Sequence, residues 1–185
     1  MGFAGWEYNG RMLEQKLVQG CEGVNCREVM DLPEIQTWGD LVKLVKSISK
    51  QVQRGLRSAE EDKSYNLYMP LFAGTHRCVS DFILGKMGDR EAMVDYNLFP
   101  YDGLIDGLNK NGWVEHLVIW SRDGGLDEER IEVELDKIFG KGEYEWIGVV
   151  NSVKNQSVPE LWHAQLFVKV EGNWESKVLS LELGE

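Results

Sequence analysis

Three histidines and three cysteines include the side chains best able to coordinate a metal or attack a substrate in this chain. Cys21-x4-Cys26 together with His76-x-Cys78 could furnish four zinc ligands, and a sulfur and nitrogen set suits that metal. The His-x-Cys spacing is unusual, however, and fifty positions separate Cys26 from His76. The expectation is therefore no bound metal, with Cys26 and Cys78 as small buried hydrophobes and His76 as a turn residue. His116 and His163 fall in strand-like runs. A catalytic histidine needs a nucleophile or carboxylate within hydrogen-bond reach. Glu115 adjoins His116 but points to the opposite face of a strand. A Cys78–His pair would have to be brought together by the fold. Asp102 and Asp106 have the i,i+4 spacing of one helix face and could form an acid/base pair. Asp102 reads first as a helix cap.

The motifs that announce a cofactor are absent. The chain has no G-x-x-x-x-G-K-[ST] phosphate loop, no G-x-G-x-x-G after a strand, no G-x-S-x-G and no H-E-x-x-H. Asp95-x-Asn97 and Asp123-x-x-x-Asp127 do not continue into calcium loops. No cofactor is expected, and no known family is resembled. Tyr68-Met69-Pro70-Leu71 matches a tyrosine-based peptide signal, but it falls in a run read as a strand. There it serves packing.

A feature with a binding flavour lies between Thr37 and Arg57. Leu41, Leu44, Val45, Ile48, Val52 and Leu56 recur at helical spacing, while Lys43, Lys46, Lys50, Arg54 and Arg57 recur opposite them. At 3.6 residues per turn the five cations span an arc of roughly 80° with no carboxylate in it. Exposed helix faces usually mix signs, because Glu–Lys pairs at i,i+4 add a few tenths of a kcal/mol each. The five cations are accordingly the candidate binding residues. Residues 123–145 hold nine carboxylates against three cations. The partner that fits is a protein, or a second copy of the chain, with an acidic surface. Nucleic acid or anionic membrane would have to meet the stripe alone, since the net charge of −11 repels polyanions elsewhere.

The elements that must position these residues can be outlined. Asn9-Gly10 predicts a hairpin joining Ala4–Tyr8 to Arg11–Val18. Thr37, with Asp40 three residues on, caps the basic helix. After the polar run 58–64, the apolar runs Tyr65–Phe72 and Arg77–Leu84 read as a second hairpin, with Pro70 marking an edge. Glu91–Leu98 fits a strand or a short helix. Asp102 starts a short helix through Asn111, Trp113–Trp120 is a strand, and Leu126–Phe139 is a helix closed by Gly140. Tyr144–Val153, Leu161–Glu171 and Trp174–Leu183 are strand-like. The middle one places Trp162, Ala164, Leu166, Val168 and Val170 on one face and His163, Gln165 and Lys169 on the other.

Length and composition complete the expectation. A chain of 185 residues, 43% hydrophobic and 28% charged, is of a size for one buried core, so residues 1–185 are read as a single globular domain. The fold expected is α+β: a mostly antiparallel sheet of about six to eight strands with two longer helices and one short helix packed on it. No apolar run is long enough to span a membrane, Met1–Trp6 lack the pattern of a secretory signal, and three cysteines make a poor disulfide framework. These point to the cytoplasm or nucleus. The function expected is non-catalytic binding or regulation through protein–protein contacts, with self-association into a homo-oligomer as one form of that contact. One alternative is a small enzyme with a sheet cleft and an acid/base group among His76, Cys78, His116, His163 or the Asp cluster. Another is a structural protein touching membrane or nucleic acid through the basic helix.

Overall fold

The computed structural model describes residues 7–8, 11–12, 17–19, 30–31, 35–48, 53–54, 56–75, 79–108, 113–151, 156 and 158–170. Its elements in chain order are β1 (Glu7–Tyr8), β2 (Arg11–Met12), β3 (Leu17–Gln19), β4 (Met30–Asp31), α1 (Trp38–Ile48) and β5 (Gln53–Arg54). There follow α2 (Ala59–Thr75), α3 (Val79–Met87), β6 (Ala92–Tyr96), α4 (Asp102–Ile105), β7 (Trp113–Ser121), α5 (Glu128–Phe139), β8 (Tyr144–Val150) and β9 (Trp162–Val170).

The class is α+β, but the expected sheet of six to eight strands is not found. The main sheet has four antiparallel strands in the order β8-β9-β7-β6, and the three-residue β3 adds a parallel strand beside β8. Five helices accompany it among the described residues, against the three expected. Strands β7 and β8 both run antiparallel to β9 and hence parallel to each other, with α5 connecting them. A parallel pair cannot be joined by a tight turn, which is why a helix intervenes.

Two sequence readings are overturned by local chemistry. Tyr65–Phe72 lies in α2, and Val79–Leu84 of the second run lies in α3, instead of a hairpin. Ser58 starts α2: its Oγ accepts from the Glu61 backbone N–H at 3.1 Å, and Glu60, Glu61 and Asp62 load the positive end of the helix with carboxylates. The polar run read as a loop is thus a helix start, and Pro70 lies inside α2 at the expense of a backbone hydrogen bond. The basic helix is cut short as well, ending at Ile48 instead of near Arg57. Its start matches the sequence: Thr37 Oγ1 accepts from the Asp40 N–H, and the Asp40 carboxylate accepts from the Thr37 N–H at 3.1 Å. Its end has physical causes. Ser47 donates to the Leu44 carbonyl, Lys43 and Lys46 are like charges one turn apart, and Gln53–Arg54 pair with Met30–Asp31 in a parallel ladder.

Both faces of the sheet are covered. On the first, Ile131, Leu135 and Phe139 of α5 pack on Leu117, Ile119, Trp146, Leu166 and Val168. The sequence placed this helix well, since its signals are local: Asp127 accepts from the Arg130 N–H at 2.9 Å, and Gly140 caps the far end at φ 86°. Asp127→Ala is expected to cost about 1 kcal/mol in chemical denaturation, within the usual 0.5–2 range for a lost N-cap. A loss below about 0.3 kcal/mol would remove the cap from the helix's stability.

The second face carries two clusters. Leu41, Leu44 and Val45 of α1 and Leu104 and Ile105 of α4 cover Val114, Ile147, Val149 and Phe167. Ile83 and Met87 of α3 cover Met93, Val118 and Trp120, with Val158 and Leu161. His163 and Gln165, read from the sequence as members of a polar face, are only 3% and 8% exposed. They lie where the two clusters leave a gap.

Candidate functional site

That gap is a cleft of about 300 Å³ on the second face of the sheet, between α3 and the loop from Asn97 to Tyr101. Its volume falls at the lower end of the range for small-molecule sites. Sheet register sets its floor: Val118 lies opposite Gln165, and Trp120 opposite His163. Val79, Phe82 and Ile83 of α3 form one wall; Arg57, Tyr65, Phe99 and Tyr101 form another.

A hydrogen-bond network orients the polar side chains. The Tyr101 N–H donates to His116 Nδ1 at 2.8 Å, which places the imidazole proton on Nε2. Nε2 then donates to Gln165 Oε1 at 2.8 Å, and Asn97 Nδ2 donates to the same oxygen at 2.9 Å. The 3.3 Å contact between Asn97 Nδ2 and His116 Nε2 joins two donors and is not a bond in this arrangement. With Oε1 accepting twice, the Gln165 amide nitrogen is left to the cleft. Asn97 is held in turn by its Oδ1, which accepts from the Phe99 N–H at 3.0 Å.

His116 is buried between Tyr101 and Phe167, each with its ring centroid 4.6 Å from the imidazole's. Burial lowers its pKa to about 3; the Gln165 bond opposes this and the Arg57 charge adds to it. The ring is neutral, and both nitrogens are committed. It positions Gln165 and offers the cleft no base.

His163 has a different role. Its Nδ1 donates to the Leu161 carbonyl at 3.0 Å, leaving the Nε2 lone pair on the cleft side, and the ring lies 4.7 Å from that of Trp120. Burial holds its pKa below the ordinary value, partly offset by the bond to Leu161, so the lone pair is available at neutral pH. Among the described residues its Nδ1 is backed by a carbonyl and not by a carboxylate. Asp95, which also lines the cleft, is paired with Lys86 at 2.6 Å and accepts from the Tyr96 N–H.

Arg57 supplies the charge. Its guanidinium carbon lies 4.5 Å from the Tyr65 ring centroid and 4.8 Å from that of Tyr101, and its Nε donates to the Phe99 carbonyl at 2.9 Å. The two terminal amino groups have no hydrogen bond or ion pair among the described residues. Two aromatic rings and one backbone bond hold the fork in a fixed plane, a pre-organisation that a lysine could not match.

The five predicted binding cations do not share a helix face. Lys43 and Lys46 lie on α1, Arg54 is in β5, Arg57 lies beyond it at the cleft, and Lys50 falls outside the described residues. Asp102 does not cap its own helix. Its carboxylate accepts from the Ser58 N–H at 2.6 Å and the Gly103 N–H at 2.9 Å, tying α4 to the start of α2, while Asp106 is exposed. Cys21, Cys26, His76 and Cys78 lie outside the described residues, as do the Asn9-Gly10 turn, Asn111 and Trp174–Leu183. Among the described residues no cluster of three metal-ligating side chains occurs. No helix among them is long and apolar enough to cross a membrane. Sequence reasoning missed Gln165, Asn97 and Lys86 as site residues. The one local hint was His163-x-Gln165 inside an otherwise apolar strand.

No family model matches the chain, and no curated protein matches it. Among solved structures, the crystal structure of HTC1 is similar, with a TM-score of 0.52 and 20% identity over 80% of this chain and 93% of that one. At that identity the likeness shows the fold alone.

Proposed function

We propose that this chain is a small-molecule-binding protein whose ligand occupies the cleft on the second face of the sheet. One observation carries the reading. Three side chains fixed at the cleft, Arg57, His163 and Gln165, present hydrogen-bonding atoms to one cavity and find no partner for them among the described residues. These atoms are reached by solvent in the cleft, and a ligand that replaces that solvent with pre-oriented hydrogen bonds gains about 0.5–1.5 kcal/mol for each neutral bond and about 1.5–3 kcal/mol for one to the charged guanidinium. The absence of an acid partner for His163 favours recognition over turnover. Lys43, Lys46, Arg54 and Arg57 do not lie on one helix face, so protein contact through a basic stripe has less support than the cleft.

A panel of small aromatic acids, amides and amines, screened by shift in melting temperature, tests the proposal. A ligand at a hundred times its Kd stabilises the folded state by about 2.7 kcal/mol, a shift of several degrees. Ile83 is 7% exposed on the α3 wall, so Ile83→Trp should fill the cavity and abolish those shifts while the protein still melts cooperatively. Val118→Phe fills it from the floor. Compounds that stabilise both filled variants as well as the natural protein would place binding elsewhere and refute the reading.

A further inference from the structure

We infer that the ligand is a planar aromatic carboxylate, its acid group held by Arg57 and a hydrogen-bond donor at its far end held by His163. The inference rests on the small-molecule reading above and adds the chemistry of the ligand.

The acid end follows from Arg57. A guanidinium with its Nε engaged by Phe99 and its plane fixed by Tyr65 and Tyr101 has its two terminal amino groups left as donors. Such a fork matches the two oxygens of a carboxylate. Within the cleft its charge is not cancelled, because the other ionic groups there, Lys86 and Asp95, neutralise each other. Among the described residues no carboxylate outside the cleft forms an ion pair with it either. Asp102 is occupied by two backbone N–H groups, and Glu61, whose charge interacts with those of Asp102 and Arg57, makes no ion pair with it within 4 Å.

The planar body follows from the walls. Phe82, Phe99, Tyr101 and Trp120 contribute rings to the cleft, and flat apolar faces favour stacked or edge-on rings. The donor at the far end follows from His163. Its Nδ1 proton is fixed by the Leu161 carbonyl, so Nε2 can only accept. Along β9, His163 stands two residues from Gln165, about 7 Å at the strand rise, and Gln165 is joined through Asn97 to the loop that holds Arg57. A hydroxyl or ring N–H on a one- or two-ring acid whose carboxylate meets Arg57 is the group that would pair with His163 Nε2. The Gln165 amide N–H lies between the two ends and can donate to a ring substituent.

Three probes of one shape test the inference: 2-naphthoate, its neutral isostere 2-naphthamide, and 6-hydroxy-2-naphthoate, titrated by fluorescence into the natural protein. The carboxylate is expected to bind about 10- to 100-fold tighter than the amide, the usual effect of a charge-assisted pair. The hydroxyl should add a further few-fold. Arg57→Met should erase the acid-over-amide preference, and His163→Phe should erase the hydroxyl gain while leaving that preference in place. Equal affinity for acid and amide in the natural protein, with both lost in Ile83→Trp, overturns the inference and leaves the small-molecule reading standing. An acid preference that survives in Arg57→Met also overturns it. Binding of none of the three probes, together with no stabilising compound in the panel, overturns both. Because the acid, amide and hydroxyl comparisons are made on the natural protein, a variant that fails to fold does not decide the outcome.

Discussion

Replacing Phe167 with alanine lowers the stability of the folded protein by about 3–5 kcal/mol. Phe167 is fully buried in β9, where it packs with Val114, Ile147, Val149 and Leu104 on the second face of the sheet. Its ring stacks on His116 at 4.6 Å between centroids and 14° between planes, and lies 6.3 Å from Tyr101. Truncation removes that apolar area from the core and leaves a void, and the two costs add. Domains of this size are stable by about 5–15 kcal/mol in total, so the variant should sit near the edge of folding. The damage should reach the cleft, because the ring that Phe167 supports holds Gln165 in place. Urea denaturation gives the number directly. A loss of less than about 1 kcal/mol would mean that the His116 stack does not form part of the core.

Acidification from pH 6.5 to 4.5 is expected to remove about 2 kcal/mol of stability through His116 alone, since the slope rises to about 1.4 kcal/mol per pH unit only once the unfolded imidazole is fully protonated. The sign follows from the direction of the shift. In the unfolded chain the imidazole takes up a proton near pH 6.5, whereas in the folded protein burial lowers its pKa to about 3. The unfolded state therefore binds more protons throughout the interval. Stability is full above pH 6.5 and is lost as the pH falls towards 3. His163, also lowered by burial, acts in the same direction, while Glu115 and Glu61, raised chiefly by burial, act in the opposite one. The informative quantity is thus a difference between proteins. His116→Asn keeps an acceptor near the Tyr101 N–H but does not titrate. It should be less stable than the natural protein at pH 7.5, with the gap closing as the pH falls below 6. Denaturation curves of both proteins from pH 7.5 to 4.5 decide this. Parallel profiles would show that the folded protein protonates His116 as readily as the unfolded chain does.

What could be read directly from the residues were the elements with local signals. Helix α5 has its cap at Asp127, its carboxylates in the first turn and its glycine at the far end, all within one short stretch. Strands β7 and β9 alternate, and the five-residue face from Trp162 to Val170 was identified correctly, because a side-chain period of two is a property of the strand itself. The start of α1 belongs with these, since Thr37 and Asp40 bond to each other across a single turn.

The failures share a cause. The apolar run at 65–72 lies in a helix started at Ser58 and the carboxylates after it, a stretch whose polar composition reads as a loop. The basic helix kept its apolar period through Leu56, but a ladder between residues 30–31 and 53–54 competed for its second half. No local rule anticipates a partner more than twenty positions away.

The α+β class, the antiparallel pairing of β8 with β9, the α5 helix and the amphipathic start of α1 were legible in the residues, because each depends on residues within a few positions of one another. Tertiary structure alone decided that the polar face of β9 would be covered instead of wet, since alternation reports which residues share a face and not what packs on it. It also decided the site. Arg57, Asn97, His163 and Gln165 have no common spacing in the chain, and they meet because β6, β7 and β9 are neighbours in the sheet while the Phe99 carbonyl holds Arg57 against it. Their chemistry was written in the residue types; their convergence came from packing.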